Sequence, residues 1–217
     1  MTRHHVCALI LVVGTVLSAQ PPRNQAALDA QVARFLDRNR DGWRDMNVPE
    51  ADGRALHDLI LEKKYTRALE IGTSTGRSAT WMAWALSRTG GRLTTIEIDE
   101  GRYRQAVKNF KDAGLAEVIT AKLGDAHALV PRLEGLFDMV FIDADEEWFT
   151  KYAVAVLPKL ARGGAVAAHD VVLGKWPGMT SPVVVRHRDF YDYMTALPGF
   201  ETGFRAGVFV AVKTDRE

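Results

Sequence analysis

Residues 68–78 read Ala-Leu-Glu-Ile-Gly-Thr-Ser-Thr-Gly-Arg-Ser, and residues 93–99 read Leu-Thr-Thr-Ile-Glu-Ile-Asp. The first stretch is an apolar segment that runs into a Gly-x-x-x-Gly turn, and the second is an apolar segment that reaches the carboxylate of Glu97. The residues between them are typical of a helix. Two strands that are joined through a helix lie parallel in one sheet, so this unit decides the fold.

The rest of the chain repeats this alternation with short links. Strands are predicted at 67–71, 93–98, 118–123, 137–143, 164–169, 200–204 and 207–213. Helices are predicted at 24–36, 49–62, 76–89, 100–113, 125–132, 147–160 and 182–197. The alternation predicts an α/β fold, a doubly wound, seven-stranded, mostly parallel sheet with helices on both faces. The short link at 203–207 predicts an antiparallel hairpin of the last two strands at one edge.

Composition excludes several classes of protein. The 217 residues suit one domain with a short N-terminal addition, and 47% hydrophobic with 25% charged residues are ordinary for a globular protein. A net charge of +1, from 28 basic and 27 acidic residues, gives no electrostatic reason to expect a nucleic acid or an anionic membrane as partner.

The first twenty residues are typical of a secretory signal peptide. Arg3 and two histidines precede an apolar run at 6–17, and small residues and a Pro-Pro pair follow it. The run is too short to span a bilayer comfortably, and a buried helix is the alternative. The single cysteine, Cys7, lies inside this segment. We therefore expect a signal peptide at 1–20, a helical cap at 21–66 and the main domain at 67–217, with periplasmic or secreted localisation if the signal is processed and cytoplasmic localisation otherwise.

Acidic residues follow or end four of the predicted strands, at Glu70, Glu97, Asp125 and Asp143. Ligands of an open parallel sheet bind beyond the carboxyl ends of its strands, where the strand order reverses. Glu97 stands alone among apolar neighbours and is predicted to bind a ribose diol, which indicates an adenosine ligand. Glu70 suits either a ligand contact or a structural role at the strand end. The turn lacks the Gly-x-Gly-x-x-Gly pattern of dinucleotide-binding proteins.

These motifs together resemble class I S-adenosylmethionine-dependent methyltransferases, of the catechol and caffeoyl-coenzyme A O-methyltransferase group. The resemblance covers roughly residues 43–213 and implies a Rossmann-like methyltransferase fold. It rests on five segments: 43–48, the first methyltransferase motif at 70–78, the strand end at 95–97 that resembles the ribose-binding one of the family, Gly124-Asp125-Ala126, and the strand 137–145.

The resemblance implies that S-adenosylmethionine is the methyl donor and indicates which residues bind it. The implied cofactor residues are Met46, Asn47, Val48, Glu70, Gly72, Ser74, Gly76, Ser78, Glu97, Asp125, Ala126 and Asp143. Carboxylates near the ammonium and sulfonium groups, and hydroxyl or amide donors near the cofactor carboxylate, suit this ligand.

In metal-dependent members of the family, two aspartates and an asparagine hold a divalent ion, and a lysine takes the acceptor proton. The corresponding residues here are Asp143, His169 and Asp170, with Glu146 in place of the lysine. A Mg²⁺ or Mn²⁺ site at these three residues is one reading. The others are a metal-free site, in which His169 or Glu146 is the base, and a structural pair of His169 with Asp170.

The predicted activity is methyl transfer to an oxygen of a small, aromatic acceptor. Trp176 suits either a wall of the acceptor pocket or the interface of a homodimer. One alternative is a protein that binds the nucleoside without catalysis, since the lysine is missing. Another is an NAD-dependent oxidoreductase with a similar sheet. The absence of the Gly-x-Gly-x-x-Gly pattern argues against it.

Overall fold

The computed structural model describes residues 24–43, 46–171 and 187–214. The helices are α1 Gln25–Arg38, α2 Glu50–Lys63, α3 Arg77–Thr89, α4 Glu100–Asp112, α5 Ala126–Leu129, α6 Phe149–Val156 and α7 Arg188–Ala196. The strands are β1 Arg67–Ile71, β2 Arg92–Glu97, β3 Ile119–Leu123, β4 Phe137–Ile142, β5 Leu160–Ala168, β6 Phe200–Arg205 and β7 Val208–Lys213.

The described residues form one sheet of seven strands in the order β3-β2-β1-β4-β5-β7-β6. Strands β1 to β5 pair in parallel, and β7 is antiparallel to both β5 and β6. The order reverses between β1 and β4, which is the position where a doubly wound sheet binds its ligand. The predicted fold class and its antiparallel edge hairpin are confirmed.

The two central strands are buried on both faces, which explains why they read as continuous apolar runs. Met139 and Phe141 of β4 pack with the helices of one face, whereas Val140 and Ile142 pack with those of the other. All four are fully buried, and successive side chains alternate between the faces as a strand requires.

Several element boundaries differ from the predicted ones for local reasons. The predicted helix at 125–132 is α5 followed by a 3₁₀ turn at Val130–Arg132, where Pro131 has no N–H to continue the α-helical pattern. The predicted helix at 147–160 is α6 between two 3₁₀ turns, Glu146–Trp148 and Leu157–Lys159. Strand β5 begins at Leu160, earlier than predicted, and a register shift separates its first pair from the rest.

Some predictions concern residues outside the described ranges. The predicted signal peptide at 1–20 and Trp176 lie there, as do residues 182–186 of the predicted last helix. In the described part of the chain, no helix has the length and apolar character that crossing a membrane requires.

Candidate functional site

A cavity of about 560 Å³ lies at the carboxyl ends of the parallel strands. Backbone hydrogen bonds continue past the strand ends and hold the following residues side by side. Gly72 N–H donates to the Ile96 carbonyl at 3.1 Å, Asp143 N–H donates to Ile71 at 2.9 Å, and His169 N–H donates to Ile142 at 3.2 Å. Residues distant in sequence thereby reach one cavity.

Eleven of the residues predicted for the site line this cavity. They are Met46, Asn47, Gly72, Ser74, Glu97, Asp125, Ala126, Asp143, Glu146, His169 and Asp170. The lining is rich in carboxylates, and its cationic groups include Arg102. An acidic cavity suits a ligand that carries positive charge.

Glu97 is fixed by the turn that precedes α3. Its Oε2 accepts from the Ser74 N–H at 2.6 Å, and its Oε1 accepts from the Asp99 N–H at 2.9 Å. Only 6% of the residue is exposed. Each carboxylate oxygen has a second lone pair, so both can also accept from a ligand diol.

Gly72 brings the turn at residues 72–76, between β1 and α3, against the end of β4. Its φ is +94°, and a Cβ atom built there would overlap the carbonyl oxygen of Asp143. No other residue type fits this position without moving one of the two strands.

The segment before α2 is tied to the same turn. The Asn47 side chain donates to Thr75 Oγ1 at 2.8 Å and accepts from the Arg77 N–H at 3.3 Å. Met46 lines the cavity and is 73% exposed. The residues 46–47 therefore lie at the cavity mouth.

Four residues predicted to bind the cofactor do not line the cavity: Val48, Glu70, Gly76 and Ser78. Val48 is 1% exposed and packs in the core, and its carbonyl accepts from the Arg77 guanidinium at 3.1 Å. At Gly76 a Cβ atom would lie 2.6 Å from the Phe110 ring, so packing against α4 accounts for the glycine.

Glu70 and Ser78 form a buried network beneath the turn. Glu70 is fully buried and accepts from Thr95 Oγ1 at 2.5 Å, and Ser78 lies next to it. Burial raises the pKa of Glu70 to about 8, and the nearby charges of Asp143 and Glu97 act in the same direction. Of the two roles open to Glu70 from the sequence, this geometry favours the structural one.

His169 lies between two carboxylates. Its Nε2 is 3.1 Å from Asp52 Oδ2, and its Nδ1 is 3.4 Å from Asp143 Oδ1. The Asp170 carboxylate is farther from Nδ1, at 3.9 Å. Burial lowers the pKa of His169, but the acceptor carboxylates of Asp143 and Asp52 and the charge of Asp170 outweigh it and raise the pKa to about 10. The surrounding carboxylates therefore favour the protonated ring.

This arrangement does not fit the predicted metal site. Among residues 24–43, 46–171 and 187–214, no three His, Cys, Asp or Glu side chains are grouped to hold a metal ion. Asp52 lies next to Nε2 of His169, and Nδ1 faces Asp143 and Asp170. Asp143, His169 and Asp170 thus meet in space, but as an ion-pair cluster.

Two parts of the site were not predicted from the sequence: Asp52 and the part of the cavity wall that includes His127. Asp52 carries no motif signal, because it reaches His169 through the packing of α2. The wall includes His127, whose Nε2 is 2.9 Å from Asp145 Oδ2 and whose ring stacks on Trp148 at 3.6 Å. His127 directly follows the predicted pair Asp125 and Ala126, and that position was the available signal.

Comparison with known proteins identifies the family of the chain. The model of the O-methyltransferase family matches residues 20–189. The chain is 35% identical over 149 residues to a catechol O-methyltransferase of Niastella koreensis, covering 67% of this chain and 66% of that protein. It is 34% identical over 160 residues to a catechol O-methyltransferase of Mycobacterium tuberculosis, covering 73% of this chain and 69% of that protein.

Solved structures extend the likeness over most of the chain. The O-methyltransferase TomG from Streptomyces achromogenes, in complex with S-adenosylmethionine, aligns with a TM-score of 0.68 and 28% identity, over 91% of this chain and 92% of that one. An O-methyltransferase from Bacillus cereus, in complex with S-adenosylhomocysteine, aligns with a TM-score of 0.69 and 25% identity, over 91% and 94%.

The fold and the site define a class I S-adenosylmethionine-dependent methyltransferase. Within that class, the chain belongs to the O-methyltransferase family. The matched region spans about two thirds of the length of the two curated relatives.

Proposed function

We propose that this protein transfers a methyl group from S-adenosylmethionine to a hydroxyl oxygen of a small aromatic acceptor. The observation that carries the proposal is the acidic cavity at the switch point of the sheet, where the strand order reverses between β1 and β4. Glu97 from β2 and Asp143 after β4 line this cavity. The two similar structures that contain S-adenosylmethionine or S-adenosylhomocysteine support the choice of cofactor. The two catechol O-methyltransferases among its relatives support an aromatic acceptor.

The residues that line the cavity support the proposed cofactor contacts. Glu97 is proposed to accept from the ribose hydroxyl groups, while Ser74 and Asn47 contribute polar groups at the turn. The carboxylates of Asp125 and Asp143 favour a cationic ligand. The glycine at position 72 keeps the floor of the cavity free of a side chain.

The chemistry is a single displacement. When bound, S-adenosylmethionine supplies an electrophilic methyl group: the acceptor oxygen bonds to the methyl carbon, the carbon–sulfur bond breaks with its electron pair on sulfur, and the acceptor releases a proton. The task of the chain is to align the acceptor and to exclude water. Phe149 and Tyr152, each 3% exposed, contribute an apolar part of the cavity wall.

Glu146 is proposed to take the acceptor proton. It lines the cavity at the position where the family resemblance expects a lysine. His169, the other candidate base, lies between Asp52 and Asp143, which favour its protonated form and so disfavour it as a proton acceptor.

Calorimetric titration with S-adenosylhomocysteine and a mass-spectrometric assay with catechol-like acceptors test the proposal. We expect binding and a methylated product with the unaltered protein. Glu97→Gln should weaken binding by tenfold or more, on the order expected for a hydrogen bond to a charged group. Glu117→Gln is the control, because Glu117 is exposed and does not line the cavity. No affinity for S-adenosylhomocysteine, or equal affinities of the two variants, would contradict the proposal.

A second candidate is a protein that binds the nucleoside but does not catalyse transfer, and the replacement of the expected lysine by Glu146 favours it. Under this alternative, S-adenosylhomocysteine binds with an affinity that depends on Glu97, but no acceptor of a broad phenol and catechol panel is methylated. Turnover with any acceptor of the panel eliminates it.

A further inference from the structure

We infer that strand β6 pairs with the same strand of a second copy of this chain, so that two chains form a symmetric dimer through the edges of their sheets. The two copies of β6 run antiparallel, and Gly203 lies on the two-fold axis between them. Such an interface uses the same surface on both subunits, so the strand must be complementary to itself. The inference does not depend on the proposed function.

Strand β6 is an outer strand of the sheet, and its free edge is exposed. It pairs with β7 on one side only, and residues 201–204 are exposed. The Gly199 carbonyl just before β6 accepts from the Thr214 N–H at 2.7 Å, so the odd-numbered residues bond to β7. Because bonding alternates along an antiparallel strand, the main-chain groups of Thr202 and Phe204 point towards the open edge. A row of such groups is a template for another strand.

The charges of β6 favour a second copy as the partner. When two copies pair antiparallel about Gly203, Glu201 of each lies directly opposite Arg205 of the other. The same register brings the outward main-chain groups of Thr202 opposite those of Phe204. Each dimer therefore contains two cross-strand pairs of opposite charge. Opposite charges directly across two strands stabilise the pairing, whereas like charges destabilise it.

Both charged groups are available for this contact. Glu201 is exposed and has no ion-pair partner within the described ranges. Arg205 contacts Glu62 through one terminal nitrogen at 2.6 Å, and its side chain is 37% exposed. A guanidinium has five N–H donors, so Arg205 can bind a second carboxylate without releasing Glu62.

Gly203 is not explained by the fold of a single chain. A Cβ atom there would meet nothing within 4 Å, and its φ is not in the left-handed region. A glycine inside a strand weakens that strand and often marks a place where another main chain approaches closely. In the proposed register, Gly203 faces its own copy in a non-hydrogen-bonded pair, which is the closer type of antiparallel pair.

Phe204 adds an apolar contact on the other face of the strand. It is 45% exposed, and its ring packs on Phe209 with the centroids 5.5 Å apart. In the proposed register, the two copies of Phe204 are diagonal neighbours across the axis. Diagonal neighbours are about 7–8 Å apart, which is within reach of aromatic side chains. Dimer formation would therefore cover an exposed aromatic ring.

The opposite edge of the sheet does not share these features. Strand β3 carries Lys122 and no carboxylate. A lysine on an edge strand opposes pairing with another strand. Of the two edges, only β6 is complementary to itself in charge.

The first experiment measures the mass of the full chain in solution by sedimentation equilibrium. One strand from each chain makes a small interface, so we expect a reversible dimer whose fraction rises with concentration between about 1 µM and 1 mM. Thr202→Pro removes an outward N–H but no hydrogen bond to β7, and edge strands tolerate proline. This variant should keep the circular dichroism spectrum and dimerise at least about tenfold more weakly. A chain that is monomeric throughout this range, or a dimer that Thr202→Pro leaves unchanged, would overturn the inference.

The second experiment tests the register by reversing charges. Glu201→Arg and Arg205→Glu each place like charges opposite each other at both pairs, so each variant alone should dimerise roughly tenfold more weakly. An equimolar mixture of the two variants restores opposite charges at both pairs of a mixed dimer, so it should dimerise like the unaltered chain. Failure of the mixture to recover would overturn the register.

Glu62→Gln is the control for Arg205, because it removes the intrachain partner of Arg205 and leaves β6 unaltered. Its dimerisation constant should stay within about twofold of that of the unaltered chain. A tenfold loss in Glu62→Gln would mean that the variant Arg205→Glu acts through the intrachain contact, and it would overturn the role of the cross-strand pair. Of the described residues that line the cavity, none belongs to β6, so Thr202→Pro should bind S-adenosylhomocysteine as the unaltered chain does.

Discussion

The main chain of Asp143 lies so close to Gly72 that a Cβ atom on Gly72 would overlap the Asp143 carbonyl oxygen. This contact joins the end of β1 to the end of β4 at the switch point. It keeps the first turn flat against the neighbouring strand, and it places Ser74 where its amide reaches Glu97. A side chain at position 72 would therefore disturb the fold and the cavity together.

We expect Gly72→Ala to reduce the free energy of unfolding by about 3 kcal/mol, through the positive φ together with the overlap. Its affinity for S-adenosylhomocysteine should fall as well. Urea denaturation and calorimetry measure the two effects.

Gly135→Ala is a closely matched control. Its φ of +92° nearly equals the +94° of Gly72, but nothing lies within 4 Å of a Cβ atom there. The control should show only the cost of the left-handed conformation, about 1 kcal/mol. Equal losses in both variants would mean that the contact with Asp143 contributes nothing.

Much of the fold could be predicted because its signals are local. The apolar runs of β1 and β4 and the glycine turn between β1 and α3 are visible within short windows of sequence. Parallel strands share one carboxyl edge, so residues such as Glu97 and Asp143 could be expected to meet even though 45 residues lie between them.

The contacts and roles that could not be predicted depend on packing between elements that are distant in the sequence. Asp52 belongs to α2, 117 residues from His169, and no pattern in α2 indicates that contact. Gly76 looked like a ligand-binding glycine, but the Phe110 ring accounts for it. Glu70 precedes the last residue of its strand and is buried beneath the turn, which a strand-end position alone does not reveal.

Glu70 should make stability depend on pH. Burial raises its pKa in the folded protein to about 8, whereas the ordinary value is 4.5. The folded state thus holds this proton more tightly than the unfolded state. The resulting contribution of Glu70 to the free energy of unfolding is fully present below pH 4.5 and is lost as pH rises towards 8.

Glu70→Gln mimics the protonated side chain and should remove this dependence. Between pH 4.5 and 6.5, we expect the unaltered protein to lose about 2 kcal/mol relative to the variant, since each pH unit corresponds to about 1.4 kcal/mol. Urea denaturation at intervals across this range measures the difference. Parallel curves would show that Glu70 is ionised in the folded protein.

Export remains a prediction that concerns residues 1–20. If the signal peptide is processed, the protein isolated from its native host should begin near residue 21, should lack Cys7 and should be found outside the cytoplasm. Cell fractionation with N-terminal sequencing measures both properties. An intact N-terminus in the cytoplasmic fraction would contradict the prediction, and it would place the protein where S-adenosylmethionine is made.

His169 should add a second pH dependence at higher pH. Its pKa is raised from 6.5 to about 10 in the folded protein, because Asp143 and Asp52 hold the protonated ring. The resulting stabilisation is fully present below pH 6.5 and is lost as pH rises towards 10. Between pH 6.5 and 9 we expect the unaltered protein to lose about 3 kcal/mol relative to His169→Gln, which has no proton to lose. Urea denaturation in the Glu70→Gln background isolates this contribution, because Glu70 titrates within the same range. If the two proteins then show the same slope, the ring is not held as a cation by Asp52 and Asp143, and Glu146 would no longer be favoured over His169 as the base.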